Sequence, residues 1–116
     1  MPAPASVLVF GHNDQLVHTY CLILQKAGFH VHTAASLSDI RQLPSTPTIE
    51  VMVLCHSLSP QDCDDALSLT HDRWPDIQTI ALVAGSFDCG SDSTDAVAEA
   101  YDGPAKLIDA VRLRVN

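Results

Sequence analysis

Basic residues are scarce in this chain. Six lysines and arginines stand against fourteen aspartates and glutamates, for a formal net charge of −8. Lys26, Arg41, Arg73, Lys106, Arg112 and Arg114 are scattered along the sequence. Neutralising a phosphate backbone takes clustered cations, so nucleic acid is excluded as a direct ligand. No apolar run approaches the ~20 residues of a membrane span, so no membrane partner is expected. Met1 to Ser6 lacks the basic region and apolar core of a signal peptide, which indicates a cytoplasmic protein. Cys21, Cys55, Cys63 and Cys89 form no CxxC pair, and disulfides are not expected in that compartment. Internal repeats and low-complexity tracts are missing too, so residues 1–116 read as a single domain.

What is present is a core-forming composition, 47% hydrophobic and 17% charged. It is organised around Ile49 to Pro60, IEVMVLCHSLSP. Val51 to Leu54 is an apolar run without polar alternation, as in a strand buried on both faces of a parallel sheet. The run ends at Cys55-His56-Ser57. Ser59-Pro60 then supplies an N-cap and a first-turn proline for a helix running to His71. Ligand sites in open α/β sheets lie at such carboxyl strand ends.

The rest of the chain alternates in the same way. Val7 to Phe10 is a first strand, and Gly11 to Asp14 a polar turn. Leu16, Val17, Tyr20, Cys21, Ile23, Leu24 and Ala27 recur at helical spacing, with Gly28 as the stop. Phe29 to Thr33 is a second strand on which His30 and His32 share one face. Two histidines so placed can bind metal, but with no third ligand in view a solvated edge-strand face is the simpler reading. Ser36 to Asp39 resembles a capping box for a short helix to about Leu43. Asp62, Asp64 and Asp65 fall in the first turns of the helix after the central strand, where the helix dipole favours acids. Thr79 to Val83 and Ala96 to Ala98 are fourth and fifth strands. A last helix opens at Asp102-Gly103-Pro104, with Leu107, Ile108, Val111 and Leu113 or Val115 facing inward. Strand–helix alternation with short connections predicts a doubly wound parallel α/β sheet.

The order of these segments resembles the receiver domain of two-component response regulators. VLVF with a polar turn, LILQKAGFHVHTAAS, IEVMVLCHSLSP, WPDIQTIALVA and GPAKLIDAVRLRV fall where that family has its strands and framing helices. The resemblance implies a flavodoxin-like fold, five parallel strands in the order 2-1-3-4-5. The short segment between Val83 and Ala100 implies a shortened or missing fourth helix.

The resemblance also implies a phosphorylation pocket whose working residues are replaced. Gly11 and His12 stand where receivers carry their magnesium-binding acids. Cys55, or His56 on a count back from Pro60, stands in place of the phospho-accepting aspartate. Val83 replaces the hydroxyl residue, and Ala100 the lysine. Catalytic residues, bound metal and cofactor are therefore not expected. The expected role is that of a stand-alone pseudo-receiver, a phosphorylation-independent signalling or adaptor module acting on a protein partner, with a homodimer as one form. The alternative is a small cysteine/histidine enzyme or a redox or metal sensor built from His12, Cys55 and His56.

Overall fold

A computed structural model describes residues 5–12, 14–43, 49–54, 60–83, 96–99 and 104–114. The elements are β1 (Ser6–Phe10), α1 (Asp14–Lys26), β2 (His30–Ala34), α2 (Leu37–Gln42), β3 (Val51–Leu54), α3 (Pro60–Arg73), β4 (Gln78–Val83), β5 (Ala96–Glu99) and α4 (Pro104–Arg114). The strands form one sheet in the order β2-β1-β3-β4-β5, all neighbours parallel. Of the segment between Val83 and Ala100, in which a shortened or missing fourth helix was expected, residues 84–95 lie outside the described residues and Ala96–Glu99 form β5.

Every residue of β1 and β3 is buried. Side chains alternate across a strand, so these runs feed two cores at once. Leu8, Phe10, Met52 and Leu54 face α2 and α3, meeting Ile40, Cys63, Ala66 and Leu67. Val7, Val9, Val51 and Val53 face α1 and α4, meeting Val17, Leu24, Leu107 and Val111. This two-sided burial is why both strands read as continuous apolar runs.

Local chemistry sets the element ends. Gly28 lies in the left-handed region at φ +99°. There its N–H bonds the Gln25 carbonyl at 3.0 Å, and Phe29 N–H bonds that of Leu24 at 3.1 Å. This double closure satisfies carbonyls at the end of α1. Ser36 caps α2, its side chain accepting from Asp39 N–H at 3.2 Å. Asp39 in turn accepts from Ala35 N–H at 3.0 Å. The reciprocal bond thus falls one residue before the cap. At the far end of α2, Arg73 donates to the carbonyls of Ile40 and Leu43. Its guanidinium lies 4.7 Å from the centre of the buried Trp74 ring, tying α2 to the end of α3.

Two expectations are corrected. Cys63 is fully buried and disulfide-bonded, whereas reduced thiols were expected throughout; spacing along a chain carries no signal of which cysteines the fold brings together. Among the described residues Cys21 is a free thiol, and burial pushes its pKa up. The histidine face of β2 is also not simply solvated. His30 is exposed, but His32 is half-buried because it is aligned with Leu8 on the face that α2 and α3 cover.

Candidate functional site

β1 and β3 end in register, Phe10 beside Leu54, and β1 and β2 end with Phe10 beside Ala34. Gly11 N–H bonds the Ala34 carbonyl at 3.1 Å, extending the ladder one residue past the strand. His12 therefore emerges at the carboxyl edge of the sheet, in the region where this topology places ligand sites.

Both imidazole nitrogens of His12 are engaged. Nδ1 lies 2.8 Å from the Ala35 carbonyl and Nε2 lies 2.9 Å from Asp62 Oδ2. A carbonyl and a carboxylate are both acceptors, so the ring that satisfies both is the doubly protonated imidazolium. The Ala35 carbonyl is the larger cause and the Asp62 carboxylate the next; together they raise the His12 pKa above its ordinary value. Asp39 holds the N–H of Ala35, so this one peptide segment is gripped from α2 and from the end of β1. The Phe10 ring stands edge-on to the imidazole at 5.8 Å between centres, seating it on the buried core.

Of the residues singled out in the sequence, Gly11 is buried and His12 exposed at this edge. Val83 ends β4, with its side chain beyond those described. Cys55, His56 and Ala100 lie outside the described residues. The partners that sequence reasoning missed are Asp62 and the Ala35 carbonyl. Asp62 carried a signal only as one of several acids in a first helical turn. Nothing in spacing links it to a histidine fifty positions earlier.

A magnesium ion of the kind the receiver fold implies does not fit the described part of this edge. Magnesium wants carboxylate and water oxygens in octahedral array. Gly11 has no side chain, and both nitrogens of His12, a poor ligand type for magnesium, are taken up by the Ala35 carbonyl and Asp62. No step is therefore assigned to such an ion.

No family model and no curated protein matches the sequence. Solved structures do match in shape. A response regulator receiver domain protein from Clostridium thermocellum has a TM-score of 0.77 at 17% identity, covering 97% of this chain and 94% of that one. A response regulator receiver protein from Sinorhizobium medicae has a TM-score of 0.77 at 21% identity, covering 97% and 95%. A CheY chemotaxis protein from Vibrio cholerae has a TM-score of 0.78 at 13% identity, covering 97% and 99%. At these identities the likeness is one of fold, and the chain has the CheY-like fold of the response regulator receiver domains.

Proposed function

We propose that this chain is a pseudo-receiver, a signalling or adaptor module that acts through protein contacts without phosphoryl transfer. The observation that carries the reading is the His12 clamp. The His12 imidazole, bonded to Ala35 and Asp62, occupies the strand end where receivers keep acids for magnesium. The replacement of the remaining pocket residues by Cys55 or His56, Val83 and Ala100 supports the same reading. So does the engagement of both His12 nitrogens, which leaves neither as a base for a neighbouring thiol in this conformation.

Among the described residues no helix is long and apolar enough to cross a membrane. The proposed setting is the cytoplasm. The proposed partner is a protein, with a second copy of the chain as one candidate. With a net charge of −8, a basic partner surface would be drawn in fastest.

The test is beryllofluoride with magnesium, followed by amide NMR. No saturable shifts are expected at Gly11, His12 or Leu54. Saturable, magnesium-dependent shifts there would show a working phosphoryl pocket and end the proposal.

A further inference from the structure

We propose that His30 and His32 on the edge strand β2 form a two-histidine site for a divalent transition-metal ion of the nickel, copper or zinc type, with water completing its coordination. The two residues are alternate on one strand, so their rings project from the same face. The ring centres lie 4.8 Å apart at an interplanar angle of 58°. Two imidazoles on one ion, with metal–nitrogen bonds of about 2.1 Å and ring centres about 1.1 Å beyond, have centres about 4.5–5.2 Å apart for bond angles of about 90–109°. The ring-centre distance of the pair falls within that range.

A second observation points the same way. Among the described residues, His32 Nε2 is buried and has no hydrogen-bond partner. A buried ring nitrogen without a partner is costly in a folded protein and calls for an explanation. A metal ion shared with His30 would supply its missing bond. His30 is exposed on the sheet edge, so its side-chain torsions can turn to admit the ion beside His32. Imidazole nitrogen suits nickel, copper and zinc, and is a poor ligand for magnesium or calcium. Among the described residues no group of three or more metal-ligating side chains converges, so these residues contribute two ligands. This keeps the proposed affinity modest and the site open to exchangeable ligands.

Nickel(II) is the probe, because it is paramagnetic and less prone than copper to react with the free thiol of Cys21. Calorimetric titration of the full chain is expected to show one ion bound per chain. In NMR the ring signals of His30 and His32 should broaden before those of His18 and His71. His30→Ala and His32→Ala should each weaken binding by at least about tenfold, since each removes one arm of a chelate. His18→Ala should leave binding unchanged. His30→Ala decides the matter if His32→Ala fails to fold, because His30 is exposed. The absence of nickel binding, or binding that His30→Ala leaves unchanged, would overturn the proposal. Magnesium is expected to produce none of these effects.

Discussion

His12 and Asp62 lie fifty positions apart and meet at 2.9 Å, joining the end of β1 to the first turn of α3. With 46% and 34% of their side chains exposed, they form a surface pair. Such a pair contributes little to stability, so its value lies in orientation. Asp62→Asn should cost about 0.2–1 kcal/mol in denaturant unfolding. The same change should lower the His12 pKa in an NMR titration, because it removes a charged acceptor. The Ala35 carbonyl, the larger cause of the shift, should keep it above the ordinary histidine value.

Two histidines should shape the pH dependence of stability from opposite sides. The His12 pKa is raised on folding, so its contribution is fully present below 6.5 and is lost as pH rises through the folded value. The His32 pKa is lowered, by burial first and by His30 second. Below 6.5 the unfolded chain protonates His32 more readily, so stability falls as pH drops from 6.5 through the folded value. Equilibrium unfolding across this range should show His12→Gln flattening the alkaline limb and His32→Gln flattening the acidic one. Identical pH profiles for wild type and both variants would contradict the assignment.

Gly28→Ala should destabilise by about 1–2 kcal/mol, the cost of placing a side chain in the left-handed region. A Cβ at this position would meet nothing within 4 Å, so the whole effect is backbone conformation. Asparagine at the same position should recover part of the loss, because it tolerates that region better. Thermal or denaturant unfolding of the pair separates this account from a steric one.

Leu54 is fully buried where β3 supports the candidate site, and it belongs to the core facing α2 and α3. Leu54→Ala should cost about 2–5 kcal/mol. Val53→Ala removes two buried methyl groups from the opposite core and should cost about 2 kcal/mol. Effects near zero at both positions would contradict the two-sided burial of β3.

The architecture was legible because the physics behind it is local. Val51 to Leu54 announces a doubly buried strand by its unbroken apolar run, and Gly28 and Ser36 mark the helix boundaries beside them. The position of His12 was legible as the residue following a short apolar strand. What it holds was not. Its bonds to Ala35 and Asp62 depend on how α2 and α3 are laid against the sheet, which no local pattern encodes. The same holds for the disulfide-bonded state of Cys63. His30 and His32 were visible as an alternating pair, yet the half-burial of His32 arises from the Leu8 register and the helices on that face.

The central claim is that a receiver fold here carries no phosphoryl chemistry. Incubation of the purified chain with acetyl phosphate and magnesium, followed by intact mass measurement, tests it most directly. The expected result is an unchanged mass, with or without magnesium. Stoichiometric gain of one phosphoryl group that depends on magnesium and is released by hydroxylamine would contradict it.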